Sequence, residues 1–192
     1  MSTKDHELVA KAKNGDRASF DALVREHYRL VYNTAYRMMS DHEAAEDATQ
    51  AAFVRAFGAI ERFRGTAAFS TWLYRIVTNV CLDMLRARRD DVDSLEIEYD
   101  EDEAHRRPLP DESAEPASRA QQVERQRVVH EAIGRLTPQY RAVIVLYDIR
   151  GFSYEEISDI LEVPLGTVKS RLSRARDALK DEIGSSVELF LE

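Results

Sequence analysis

Apolar residues recur along this chain with the spacing of an α-helix. Between Asp16 and Met39 they fall three or four positions apart, and Asn14-Gly15 just before this segment is typical of a helix end. A later segment, from Leu73 to Met84, carries one apolar stripe in the same way. No stretch alternates apolar and polar residues at the period of a half-buried strand. The pattern therefore predicts an all-α protein.

Short polar motifs predict where further helices begin. Ser40-Asp41-His42-Glu43 fits a capping box, in which the Ser and Glu side chains bond the free amides at a helix start. The helix that it opens has large apolar residues on its inner face: Phe53, Phe57 and Ile60. The next helix is predicted to be capped by Ser70 or Thr71.

The C-terminal part of the chain contains the helix start and stop signals of a helix-turn-helix. Thr137-Pro138 places an N-cap before a proline at the first helical position, and Gly151 suits a C-cap. A second capping box, Ser153–Glu156, opens a short helix. A turn over Val163–Gly166 follows, and Thr167 is predicted to cap the last helix.

Acidic residues are concentrated between the two helical halves. Asp90 to Pro116 contains twelve acidic residues and two arginines, which gives this segment a net charge of −10. The whole chain has a net charge of −8, so the residues outside the segment have a net charge of +2. Three prolines interrupt this stretch, whose composition cannot repay the entropy of ordering by burial. The sequence predicts two small helical domains, residues 8–90 and 121–182, joined by a flexible acidic linker over residues 91–120.

Several functional classes are excluded by the composition. The longest apolar run, Ala142 to Tyr147, has six residues, far below the roughly 20 of a membrane helix. One cysteine, Cys81, excludes an intramolecular disulfide and fits a small core residue. The five histidines have no metal-ligand spacing, and no phosphate-binding loop is present. We therefore expect a cytoplasmic protein that is not an enzyme, with no cofactor, no metal and no membrane insertion.

The last predicted helix combines an apolar stripe with a row of hydrogen-bond donors. The donors that point away from the stripe are Lys169, Ser170, Ser173, Arg174 and Arg176. A recognition helix needs donors in its first turn for base edges and cations beyond them for phosphates. An ordinary solvated basic face is the alternative. The coincidence of turn, caps and donors favours DNA contact.

A second cluster surrounds Gly65, where aromatic residues and arginines alternate from Phe63 to Arg75. Stacking rings with amide and guanidinium donors are what a flipped, single-stranded base requires. Arg75, Asn79 and Arg86 share one face of the following helix.

The aromatic residues of this cluster do not all point to the same role. Trp72 and Phe69 are predicted to lie in the core, because the only tryptophan of a small helical domain is usually buried. Phe63 and Asn79 are the candidates for base contact, and composition alone leaves them open between that role and packing.

Three segments, residues 41–53, 63–79 and 154–176, closely resemble an extracytoplasmic-function (ECF) sigma factor. This is the minimal class of the bacterial sigma-70 family, with only regions 2 and 4 and a linker. The resemblance covers almost the whole chain, in the expected order. It implies region 2 over residues 8–90, region 4 over residues 121–182, and a function in promoter recognition and melting with core RNA polymerase.

The resemblance also implies site residues. The residues expected to bind the β′ coiled coil of core RNA polymerase are Glu46, Asp47 and Gln50, and a second polymerase contact is expected at the β flap. The residues expected to bind the promoter −10 element are Phe63, Arg75, Asn79 and Arg86. Those expected to bind the −35 element are Pro164, Gly166, Thr167, Lys169, Ser170, Ser173, Arg174 and Arg176. Tyr147 and Ser173 depart from the residues of some relatives, so the −35 sequence does not transfer.

Two partner questions stay open at this point. Family members are typically held inactive by an anti-sigma factor, often membrane-bound, and the resemblance implies such a partner. The acidic linker either mimics the charge of RNA in a polymerase channel or is a soluble spacer.

The competing interpretation of the whole chain is a helix-turn-helix regulator that acts without polymerase. That interpretation leaves Asp41–Arg89 unexplained.

Overall fold

The computed structural model describes residues 3–94 and 116–184, and within them it contains eight α-helices and no strand. In chain order the helices are α1 (Thr3–Lys13), α2 (Arg17–Met39), α3 (His42–Ala59), α4 (Phe69–Ser94), α5 (Pro116–Arg135), α6 (Pro138–Ile144), α7 (Tyr154–Leu161) and α8 (Leu165–Gly184). A 3₁₀ turn, Ile60–Arg62, follows α3, and a π-helical turn, Val145–Ile149, follows α6. The all-α prediction is confirmed. Most of the predicted linker, residues 95–115, lies outside the described residues.

Helix α3 packs closely on α2 because its inner face is built from alanines. Ala45, Ala48 and Ala56 are completely buried, and such small side chains allow two helix axes to approach. Helix α4 closes this bundle with Leu73 and Val77, which are also completely buried. Burying each such side chain contributes about 1.5–3 kcal/mol, so the apolar stripe of α4 stabilises the first half of the chain.

The start of α3 differs from the prediction by one residue. The Asp41 carboxylate accepts a hydrogen bond from the Ala44 N–H at 2.7 Å, so Asp41 is the N-cap. Ser40 instead ends α2 in the left-handed conformation, with φ of 59°. The predicted capping box at Ser40 is therefore wrong, because the serine is used to turn the chain out of the preceding helix.

The second capping box is confirmed. The Ser153 hydroxyl accepts from the Glu156 N–H at 3.2 Å, and the Glu156 carboxylate accepts from the Ser153 N–H at 2.8 Å. Helix α8 begins at Leu165, earlier than predicted. Thr167 therefore lies inside its first turn and is not the cap, because its N–H already donates to the Pro164 carbonyl at 2.8 Å.

The two halves of the chain pack directly on each other, a contact that the sequence pattern does not predict. The ring of Phe152 packs edge to face with the ring of Tyr74 on α4, with 4.8 Å between ring centroids. Arg150 lies 5.8 Å above the same tyrosine ring and donates to the Thr34 hydroxyl at 3.1 Å. Residues just before the helix-turn-helix therefore contact both α2 and α4.

A buried arginine extends this contact. Arg141 is only 7% exposed, and its guanidinium donates to the Met38 carbonyl at the end of α2 and to the Gly134 carbonyl at the end of α5. Burial lowers the pKa of Arg141 from its ordinary value. One side chain thus supplies donors to helix-end carbonyls from both halves.

Candidate nucleic-acid and polymerase interfaces

The outer face of α8 is polar over its first three turns. Val168, Leu172 and Ala175 are buried beneath it, which fixes the rotation of the helix. Seven of the eight residues assigned to the −35 element are exposed, namely Pro164, Gly166, Lys169, Ser170, Ser173, Arg174 and Arg176, and Thr167 is half-buried. The geometry places hydrogen-bond donors where a major groove could receive them.

Arg176 differs from Arg174 because the protein already binds its guanidinium in an ion pair. Its guanidinium meets both Asp148 carboxylate oxygens, at 2.5 and 3.3 Å, and lies 5.1 Å above the Tyr147 ring. The Asp148 hydrogen bond raises the pKa of Arg176. Arg174, within the described residues, has no ion-pair partner. All donors of the Arg174 guanidinium are therefore available to a ligand.

The loop between the 3₁₀ turn and α4, residues 63–68, has a buried first residue, a half-buried last residue and an exposed centre. The Phe63 ring is only 6% exposed and packs against Phe69 and Trp72, with centroids 5.7 and 5.1 Å apart. The ring that the resemblance assigns to a flipped base therefore lies in the core in this structure. Phe69 is buried as predicted, and Trp72 is half-buried at the core edge.

The three polar residues assigned to the −10 element lie on one helix, α4. Arg75 and Arg86 are exposed, and Asn79 between them is half-buried. Neither arginine is without a partner: Arg86 lies 3.6 Å from Asp83, and Arg75 forms an ion pair with Glu162 of the helix-turn-helix. The face is available to nucleic acid once these exposed pairs exchange with phosphates.

Glu46, Asp47 and Gln50 are all exposed on α3. They lie on the outer side of the helix whose inner side is alanine. Their placement agrees with a contact surface for another macromolecule.

An apolar groove of about 590 Å³, which no sequence motif indicates, borders two of these residues, Glu46 and Gln50. Its apolar lining comes from α2 and α3: Phe20, Val24, Tyr28, Phe53, Val54 and Phe57. Val54 is 68% exposed and Phe57 is 47% exposed, although Phe57 was predicted to face inward. Large exposed apolar side chains around a groove are typical of a protein-binding site.

Other chemistry is not evident in the described part of the chain. Cys81 is completely buried, as predicted, and burial raises the pKa of its thiol to about 12. No cluster of three or more His, Cys, Asp or Glu residues there is arranged to hold a metal ion. Among the same residues, no helix has the length and apolar character that crossing a membrane requires.

Two protein-family models match the chain in the order of these surfaces. The model for sigma-70 region 2 matches residues 23–90, and the model for sigma-70 region 4 matches residues 126–179. The first match contains α3, the exposed loop and α4 up to Asp90, and the second contains the helix-turn-helix up to Leu179. The chain therefore belongs to the sigma-70 family, whose members direct RNA polymerase to promoters.

Within that family the chain is an ECF sigma factor. It is 35% identical over 181 residues to the RNA polymerase sigma-H factor of Pseudomonas aeruginosa, with 92% of each chain covered. It is 34% identical to the ECF RNA polymerase sigma factor SigW of Bacillus subtilis, covering 91% of this chain and 94% of that one. The sigma factor RpoE of Bartonella quintana, solved with the anti-sigma factor NepR, is similar in structure, with a TM-score of 0.65 and 25% identity over 86% of this chain and 96% of RpoE.

Proposed function

We propose that this sigma factor divides its work between two domains. Residues 8–90 bind core RNA polymerase and the −10 element, and residues 121–182 bind the −35 element, with residues 91–120 as the connection. The proposal depends on the polar face of α8, which is exposed to solvent while the apolar stripe of the same helix is buried. The exposed groove between α2 and α3 supports polymerase binding by the first domain. The protein acts by binding, without a chemical step of its own, in the cytoplasm where RNA polymerase works.

Polymerase docking involves both polarity and apolar contact. Glu46, Asp47 and Gln50 supply charge and hydrogen bonds to the β′ coiled coil, and the neighbouring groove receives apolar side chains. Exposed Val54 and Phe57 are the anchors of that groove, since a docking partner gains most free energy from burying large apolar groups. The β flap is a second contact, made by the second domain.

Promoter recognition uses two kinds of contact. In the second domain, Arg174 has free donors for a base edge, while Arg176 is held by Asp148 and suits a phosphate. In the first domain, Asn79 is the candidate for a base, and Arg75 and Arg86 hold the phosphates beside it. The Phe63 ring supports the loop from within the core.

An anti-sigma factor is the remaining partner that we propose. The similar RpoE structure was solved with the anti-sigma factor NepR, and the exposed groove on α3 is a surface that such a partner could cover. Covering it would exclude polymerase from the same residues. Simultaneous binding of polymerase and the candidate anti-sigma factor would contradict this part of the proposal.

Transcription in vitro with core polymerase tests the proposal as a whole. Wild-type protein should give initiation at discrete start sites, and the double variant Asp47→Lys, Gln50→Ala should lose core binding in native-gel competition. Glu155→Lys, an equal charge reversal at an exposed site on α7, is the matched control. Tight duplex binding by the free chain, with no polymerase-dependent initiation, would favour a helix-turn-helix regulator instead.

A further inference from the structure

We propose that Lys13, at the end of α1, is a positioning residue for the −10 loop, residues 63–68. The inference rests on the proposed function, because this loop leads directly into α4, the helix that carries the residues proposed to hold the −10 strand. Helix α1 precedes residue 23, where the family match begins, so Lys13 lies in a part of the chain that the region 2 model does not cover.

The first observation is a hydrogen bond between distant parts of the chain. The Lys13 ammonium donates to the Phe63 carbonyl at 2.9 Å, although the two residues are 50 positions apart. Phe63 ends the 3₁₀ turn, and its own N–H still donates to the Ile60 carbonyl at 3.1 Å. Its backbone is extended, so its carbonyl has left the helical bonding pattern and needs another donor. A charged donor makes a stronger hydrogen bond than a neutral one.

The second observation is that α1 also reaches the far end of the loop. Asp5, on the first turns of α1, lies 3.3 Å from the His27 ring nitrogen, and both side chains are mostly buried. The His27 ring in turn packs edge to face with the ring of Phe69, the first residue of α4, with centroids 5.3 Å apart. The two ends of the loop are therefore fixed to one helix, directly at Phe63 and through His27 at Phe69.

The residues between these anchors have few other restraints. Residues 64–67 are exposed, and Gly65 adopts φ of +73°, a conformation that favours glycine. The position of such a loop is set mainly by its ends. An anchored loop loses less conformational freedom when it binds DNA than a loose one, so the anchor contributes to affinity without touching the ligand.

The test uses the full chain assembled with core polymerase. The probe is the single-stranded non-template oligonucleotide of a −10 element found by start-site mapping, and its affinity is measured by fluorescence anisotropy. Lys13→Met should weaken binding about three- to tenfold, the range expected for losing one hydrogen bond. Lys13→Arg, which can still donate to the carbonyl, should restore most of the affinity.

Two controls separate positioning from general effects. Lys11→Met removes the same charge from an exposed site on the same helix, so it should leave the affinity unchanged if Lys13 acts through the loop. Core binding should be the same for all variants, and the melting temperature of Lys13→Met should fall by only a few degrees, about the loss expected for one hydrogen bond. Wild-type affinity in Lys13→Met, an equal loss in Lys11→Met or in Lys13→Arg, or a loss of core binding in Lys13→Met would overturn the inference. Failure of the proposed function is distinguishable, because then wild-type holoenzyme itself would show no preference for the −10 strand.

Discussion

Arg75 of α4 forms an ion pair with Glu162, the residue that ends the first helix of the helix-turn-helix. The pair joins a residue proposed to hold −10 DNA to the domain proposed to read the −35 element. Both side chains are about half exposed, so the pair stabilises the contact only weakly, by about 0–1 kcal/mol. In this arrangement a DNA phosphate and the Glu162 carboxylate compete for the same guanidinium.

Removing the Glu162 carboxylate should increase the affinity of the protein for DNA, because Arg75 is then free to bind a phosphate. We expect Glu162→Gln to raise the affinity of the free chain for a −10 single strand by up to about fivefold, the equivalent of one exposed ion pair. Anisotropy at low salt measures the change, because screening weakens the competing pair. Glu155→Gln, on the same short helix, should have no effect. If Glu162→Gln has the same effect in an Arg75→Ala background, the competition does not run through Arg75.

The two arginines at the end of the recognition face should behave differently. Arg174→Ala should cost about 1–3 kcal/mol and relax specificity at one position, since its guanidinium is free to read a base. Arg176→Ala should weaken binding evenly across sequences and reduce the salt slope by about 1, because Asp148 leaves it fewer donors and it suits a phosphate.

Holoenzyme binding to a −35 mutant series over a range of salt concentrations distinguishes these outcomes. Lys180→Ala, an exposed cation further along α8, is the control. A binding profile indifferent to both arginine substitutions would remove α8 as the −35 reader.

Alanine substitutions at Asn79 and Phe63 should have different effects, one on DNA opening and the other on the stability of the fold. Asn79→Ala should keep the melting temperature and core binding but reduce permanganate reactivity of −10 thymines, and a pre-melted template should restore initiation. Phe63→Ala should lower the free energy of unfolding by about 3–5 kcal/mol, because it empties a buried aromatic site. A Phe63→Ala protein of wild-type stability with a selective opening defect would return the ring to base stacking.

Cys81 gives a pH-dependent test of the core. Burial raises the pKa of its thiol to about 12, whereas the unfolded thiol ionises near its ordinary value of 9.0. The buried thiol therefore stabilises the fold fully below about pH 9, and this contribution is lost as the pH rises toward 12. Denaturant melts should show a steeper loss of stability at alkaline pH for wild type than for Cys81→Ala. Rapid labelling of the native thiol by iodoacetamide at neutral pH would show that the site is not closed.

Local rules in the sequence determined the helical class and much of the helix-turn-helix. The Ser153 capping box forms from groups three residues apart, so no distant contact is needed to specify it. The stripe of Val168, Leu172 and Ala175 likewise follows from helical spacing, and all three side chains are buried. The same helical spacing predicts that the donors of α8 lie on the opposite, exposed face.

Only the tertiary structure decided which side chains meet across the chain. Helical spacing identifies an apolar face but not the neighbour that covers it, so Phe57 could be assigned to the core although it lies beside an open groove. The burial of Phe63, its carbonyl contact with Lys13, and the pairing of Arg75 with Glu162 all join residues far apart in sequence. Such contacts depend on how complete helices pack, and a periodic pattern carries no information about that packing.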